Sequence, residues 1–230
     1  MRQPVARVIR SSVRPIEKIT PSLSRKIKSW GWVWQPVHSP AAFSALYDRS
    51  VDPYNFGSNP YEADKYEHSM KLLKGRLYDS ALEIGASEGI FTRMIAPLCK
   101  SLVAIDVART AVERASVRLA DLDHVSIRQA SVPHQFPEGN FDLIIASDVL
   151  YYVPKDVLLD ISHQIADKLS LGGIFFILHY LGDIGQPLSG GEVHHLLKCH
   201  SDLDVVHDET VADVGPKDAG YTVTIFKKTR

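Results

Sequence analysis

From residue 77 onward, short apolar runs alternate with stretches of helical periodicity, and nothing else in the sequence constrains the fold as strongly. Residues 78–85, 102–106, 124–130, 141–146, 174–179, 203–207 and 221–227 read as strands, and 89–98, 110–119, 154–169 and 189–199 as helices. In 110–119, Val112, Ala115 and Leu119 share one face, while Glu113, Arg114 and Arg118 point away from it. Pro154 suits a first helical turn, and Leu171-Gly172-Gly173 reads as a turn. Strands that are apolar throughout and joined through helices belong to a parallel sheet covered on both faces. The expectation is a doubly wound α/β domain with a seven-stranded, mostly parallel sheet. No helix pattern separates the last two strands, and the polar stretch 208–220 carries Gly215 and Pro216, so the final strand should run antiparallel.

The core domain is therefore placed at 77–230, with a cover segment at 41–76 and a basic extension at 1–40. The formal net charge of −1 hides a split. Residues 1–30 hold Arg2, Arg7, Arg10, Arg14, Lys18, Arg25, Lys26 and Lys28 against one acid, Glu17; the remainder is acidic. An acidic globule is no bulk-charge nucleic-acid binder, and no nucleic-acid partner is expected. Cys99 and Cys199 are too few for a disulfide framework or a four-ligand zinc site, so free thiols, a cytoplasmic setting and no metal are expected. No apolar run is long enough to span a bilayer. The arm's Val5, Val8, Ile9 and Val13 would share a helix face opposite Arg7, Arg10 and Arg14, ended by Pro15. Contact of residues 1–30 with an anionic membrane surface is one reading of the arm, and an organelle transit sequence is another. The aromatic tract Trp30–Trp34 reads as a segment packed on the domain or as an interfacial anchor.

The first strand runs into Leu82-Glu-Ile-Gly-Ala-Ser-Glu-Gly-Ile-Phe91. In a doubly wound sheet the ligand sits at the carboxyl ends of the strands, beside this first turn. Gly85 and Gly89 allow a tight turn. A dinucleotide fingerprint needs Gly-x-Gly-x-x-Gly, and here Ser87 stands at the middle glycine. The spacing fits a ligand with no pyrophosphate and argues against a dehydrogenase. The second strand ends in Asp106, placed to accept the two hydroxyls of a ribose, or else to cap the next helix.

In order and separation, the Glu83–Gly89 turn, Asp106, Phe141-Asp-Leu-Ile-Ile-Ala-Ser-Asp-Val-Leu-Tyr-Tyr152 and the Leu169–Gly173 stretch resemble the class I S-adenosylmethionine-dependent methyltransferases. More narrowly the chain is similar to the NodS-type nodulation N-methyltransferases, which methylate an amine of a chitooligosaccharide. That closer likeness covers about residues 44–180. It rests on Asp52-Pro-Tyr-Asn-Phe56, Tyr61-Glu62 with Lys65-Tyr66, the turn at 81–85, Ala96-Pro-Leu-Cys-Lys100 and Val149-Leu-Tyr-Tyr152. The arm lies outside it.

The resemblance implies S-adenosyl-L-methionine as cofactor. Glu83, Gly85, Ser87 and Gly89 would then line its methionine part, Asp106 would hold the ribose and Val107 would pack on adenine. Ser131, beside Val132, takes the place where the family usually has an acid that accepts from the adenine amine, and a neutral acceptor there is weaker. Ser147 and Asp148 would face the transfer region. Asp148, Tyr151 and His179 are the candidate catalytic groups, with Tyr152 turned into the core. Tyr54, Tyr151 and Tyr180 offer faces on which a sugar of a small glycan acceptor could stack, and 183–191 would shape that cleft. Other amine or hydroxyl acceptors, and a binding module without catalysis, stay open at this point. Tyr47, Tyr54, Tyr61 and Tyr66 form a lid or pack a cover helix, which Ser58 or Asn59 would cap ahead of Pro60. His194 and His195, adjacent on a helix, point apart.

Overall fold

A computed structural model describes residues 39–54, 56–212 and 219–230, all within one compact unit spanning 35–230. The readings of the basic arm and of Trp30–Trp34 lie outside the described residues. Two helices come first: α1 (Pro40–Arg49) and α2 (Pro60–Leu73). Each has a proline in its first turn and a side-chain cap, Ser39 accepting from Ala42 N and Asn59 accepting from Tyr61 N. The alternating part follows as β1 (Ala81–Ile84), α3 (Ile90–Ile95), β2 (Leu102–Asp106), α4 (Arg109–Arg118), β3 (Val125–Gln129), β4 (Phe141–Ser147), α5 (Lys155–Lys168), β5 (Leu169–Tyr180), α6 (Gly190–His200), β6 (Asp204–Val211) and β7 (Tyr221–Lys227).

The seven strands form one sheet in the order β3-β2-β1-β4-β5-β7-β6. β1 to β5 are mutually parallel, and β7 inserts antiparallel between β5 and β6. The expected doubly wound fold with a reversed last strand is thus observed. The strand order reverses between β1 and β4, which sets the crevice of such sheets at their carboxyl ends. Burial explains the patterning. Ala81, Leu82, Leu143, Ile144, Ile145, Phe176, Ile177 and Leu178 are wholly enclosed, because helices cover both faces. On α5, Val157, Ile161 and Ile165 recur every fourth residue and are buried, as is Leu158. Among the described residues no helix is long and apolar enough to cross a membrane.

Three strand boundaries differ from expectation by three residues or more. β1 begins at Ala81, because Tyr78 makes only an isolated bridge to Cys99. β5 begins at Leu169 and takes in the expected turn, which appears as a register shift: Phe141 faces Leu169, but Leu143 faces Ile174. Gly172 N and Lys228 N bond across this bulge to Lys228 O and Gly173 O, so the extra residues stay paired. β6 runs on to Val211 because β7 offers it a full antiparallel ladder.

Candidate active site

The turn after β1 carries three positive φ angles, at Gly85, Ser87 and Gly89. A Cβ on Gly85 would lie 2.7 Å from Val149 Cβ; one on Gly89 would lie 3.1 Å from Ala115 Cβ and from Leu119 Cδ1. Gly89 therefore serves the approach of α3 to α4, and Gly85 the approach of the turn to β4's exit. Asp106 ties the two neighbouring turns together. Its Oδ2 accepts from Ser87 N and its Oδ1 from Ala108 N, both at 2.8 Å. Burial raises its pKa, and those N–H groups pull the other way.

At the carboxyl ends of β1 and β4 lies a cleft whose mouth is open to solvent. Glu83, Ser87, Ser147 and Asp148 supply its polar lining, and Phe56, Tyr66, Ile90 and Phe91 its apolar wall. Glu83 is 3% exposed, and its Oε2 has no hydrogen-bond partner among the described residues. Burial pushes its carboxyl up to about 7, against the Thr92 hydroxyl, with the Asp106 charge adding to the rise. A buried carboxylate oxygen left bare in a cleft is suited to a cationic or N–H-bearing ligand.

The cover helices are bolted to this turn. Tyr47 of α1 shares a 2.6 Å hydrogen bond with Ser87 Oγ. Arg114 of α4 donates to Tyr47 O, Ser50 O and Val51 O, and pairs with the buried Glu88 at 2.6 Å. Arg118 Nε donates to Glu88 O. Arg114 and Arg118 point away from the buried Ala115 and Leu119 as expected, and the Arg114 guanidinium, half-buried there, clasps the end of α1 to the glycine turn. Arg114→Ala should strip a buried carboxylate of its partner and cost about 2 kcal/mol, discounted for the partial exposure of Arg114, in urea unfolding monitored by circular dichroism. An aromatic row, Tyr47, Tyr54, Phe56, Tyr66 and Phe91, runs from α1 along the cleft with ring centroids 4.9–6.4 Å apart.

The sequence profile of nodulation protein S (NodS) matches residues 44–170, more than half the chain, and that stretch contains every residue lining the cleft. The chain belongs to the nodulation protein S family. It is 35% identical over 109 residues to nodulation protein S of Bradyrhizobium diazoefficiens, covering 46% of this chain and 51% of that one. The protein of the same name from Sinorhizobium fredii is 34% identical over 103 residues, 44% of this chain and 48% of that one. The chain thus spans about half the length of the curated relatives it matches. Among solved structures, N-methyltransferase NodS from Bradyrhizobium japonicum WM9, in complex with S-adenosyl-L-homocysteine, superposes with a TM-score of 0.71. It is 24% identical, over 81% of this chain and 98% of that one, a likeness that establishes the fold.

Of the residues expected from the NodS resemblance to bind cofactor, Glu83, Gly85, Ser87 and Ser147 line the cleft, and Asp106 reaches it through Ser87. Gly89, Val107, Ser131 and Val132 lie outside its lining. Val107 O accepts from Gln129 Nε2, and Ser131 N donates to Gln135 Oε1. Asp148 lines the cleft in a left-handed conformation, φ 51. Its Oδ2 accepts from Lys65 Nζ at 2.5 Å, and its Oδ1 from Tyr180 N at 2.7 Å and from Tyr151 Oη at 3.3 Å.

Two expectations are corrected. His179 is fully buried with both ring nitrogens engaged: Leu150 N donates to Nε2, and Nδ1 meets His194 Nε2 at 3.1 Å. It cannot act as a base on a ligand. Tyr151 and Tyr152 exchange places, because Tyr151 is buried between Tyr152 and His179 while Tyr152 is half-buried against Phe43. Tyr151 thus has no free face for a sugar; its hydroxyl touches Asp148. Tyr54 stacks on Phe56, and Tyr180 meets Tyr61 edge-on; neither lines the cleft. His194 is buried and His195 exposed, pointing apart as expected. Sequence reasoning missed Lys65 and Arg114 as parts of the site.

Proposed function

We propose that the chain is an S-adenosylmethionine-dependent methyltransferase acting on the amine of an amino sugar in a chitooligosaccharide-like glycan. The observation that carries this reading is the nodulation protein S match over the segment that builds the cleft, together with the bare buried oxygen of Glu83 inside it. A relative with the same fold is an N-methyltransferase crystallised with S-adenosyl-L-homocysteine, which supports the same cofactor here. When bound, that cofactor supplies a methyl group already activated on a sulfonium.

The chain's own residues then bind and orient. Glu83 offers a carboxylate oxygen to the amino group of a methionine moiety. Each Asp106 oxygen accepts one backbone N–H and keeps lone-pair capacity for a ribose hydroxyl. Val107 and Val132 are assigned to the adenine side, with Ser131 as a neutral acceptor. Phe56, Tyr66 and Phe91 keep water from the cleft wall, and Asp148 faces the acceptor amine. Holding the reactants in line is the larger part of such catalysis.

Calorimetric titration should detect S-adenosyl-L-homocysteine binding, and Glu83→Gln should weaken it about tenfold or more, the loss of one hydrogen bond to a charged group. Labelled methyl from S-adenosylmethionine should appear in partially de-N-acetylated chitooligosaccharide. Incorporation into a small-molecule amine and none into the glycan would overturn the acceptor assignment.

A further inference from the structure

Lys65 is a lysine where an exposed helix residue is expected, yet it is 1% exposed. Its ammonium lies 2.5 Å from Asp148 Oδ2 and 2.6 Å from Glu62 Oε2, both carboxylates nearly buried, with the Tyr61 and Tyr66 rings 5.4 and 5.8 Å away. Two acids and one base leave this trio with one net negative charge. Burying such a group is a poor route to stability, since apolar side chains of the same volume pack there without desolvation cost. The trio stands where it matters for the cleft. Lys65 comes from the cover helix α2, whose Tyr66 lines the cleft wall, and it reaches across to the one cleft acid at the exit of β4.

We infer that Lys65 is the positioning residue for Asp148, fixing the orientation in which that carboxylate meets the acceptor amine. This rests on the methyltransferase reading. Three donors converge on Asp148: Lys65 on Oδ2, and Tyr180 N and Tyr151 Oη on Oδ1. A carboxylate has about four lone-pair sites, so one remains, and the three fixed donors decide where it points. The lysine is the only donor of the three that belongs to the cover segment. Removing it frees Asp148 to rotate about a backbone already held at φ 51.

The test is a double-mutant cycle with Lys65→Met and Asp148→Asn. Lys65→Met should lower kcat by about 100-fold, the scale of a misplaced catalytic contact. The dissociation constant of S-adenosyl-L-homocysteine should stay unchanged, because Glu83 and Asp106 are untouched. The double variant should be no slower than Asp148→Asn alone, since Lys65 acts through Asp148. A purely structural lysine would lower the unfolding midpoint while leaving the kcat of the folded protein in place, and that result overturns the inference, as do independent, multiplying effects. A second readout needs no turnover. The Tyr180 amide, bonded to Asp148 Oδ1 at 2.7 Å, should shift in the nitrogen–proton correlation spectrum of Lys65→Met. An unmoved Tyr180 amide overturns the inference whatever the activity. Failure of the unmodified chain to transfer methyl, with that amide shifted, counts against the methyltransferase reading alone.

Discussion

Gly85→Ala should unfold this protein more readily by about 3 kcal/mol, from two separable causes. The residue sits at φ 81, where a Cβ costs about 1 kcal/mol or somewhat more. The new methyl would also lie 2.7 Å from both Cβ and Cγ2 of Val149, atoms close to the main chain that cannot swing aside, and overpacking of that kind costs about 1–3 kcal/mol. Gly139→Ala isolates the first cause. Its φ is 100 and nothing lies within 4 Å of a Cβ built there, so it should lose about 1 kcal/mol. Urea unfolding of the two variants beside the unmodified chain gives both numbers. Equal losses would show that the approach of Val149 is looser than described. Because Val149 follows Asp148, the push should also weaken S-adenosyl-L-homocysteine binding in the fraction that folds.

Acidification to pH 5 should draw a penalty from two histidines buried in the neutral form. A directional chain of hydrogen bonds fixes their tautomers. Leu150 N donates to His179 Nε2, so the neutral ring carries its proton on Nδ1 and donates to His194 Nε2. His194 then donates from Nδ1 to Thr224, which donates to Asp208, an acid also held by Lys198. Burial drives His179 down to about 3, with Lys65 adding to the shift; burial first and His179 second drive His194 down to about 2. Folded values below the unfolded value of about 6.5 mean that the unfolded chain binds the extra protons. The contribution is complete above that pH and is withdrawn as the pH falls towards the folded values. At pH 5 each histidine costs about 2 kcal/mol, or about 4 for the pair. Glu83, raised to about 7, works in the opposite sense, gaining stability on acidification over the same range. A difference measurement removes it. His194→Gln should lose less stability between pH 7 and pH 5 than the unmodified chain does, by about 2 kcal/mol. Parallel losses would mean that His194 is charged in the folded protein.

The sheet, its reversed last strand and the place of Asp106 beside the glycine turn were legible in the sequence because each follows from local chemistry, whereas Glu83 and Ser87 were picked out by the family resemblance. Short apolar runs bounded by turn residues and spaced by helical stretches read as buried strands, and an acid at the end of the second strand lies beside the first turn. What escaped were residues whose roles depend on distant partners. Lys65 and Asp148 are 83 positions apart. A lysine or arginine on a helix reads as a solvent face unless its carboxylate is known, and both Lys65 and Arg114 defeat that reading. Tyr151 and Tyr152 were inverted for a different reason. The alternation of β4 does not carry past Ser147, since Asp148 turns left-handed and Leu150–Tyr152 forms a 3-10 turn. His179 belongs to an apolar strand at full burial, where a histidine serves the interior and not a ligand.

The insertion of β7 between β5 and β6 sets the order in which this chain can be completed during synthesis. β6 pairs with β7 alone, and β5 keeps an open edge until β7 arrives, 41 to 53 positions later in the register. β1 to β4, which carry the cleft acids, need nothing from that segment. The cover does: Tyr61 of α2 donates to Gly220 O, and His68 meets the Tyr221 hydroxyl. β1 to β4 can therefore pair before β7 is made, and residues 220 and 221, once in place, add two fastenings to those the cover already has at Ser87, Arg114 and Asp148.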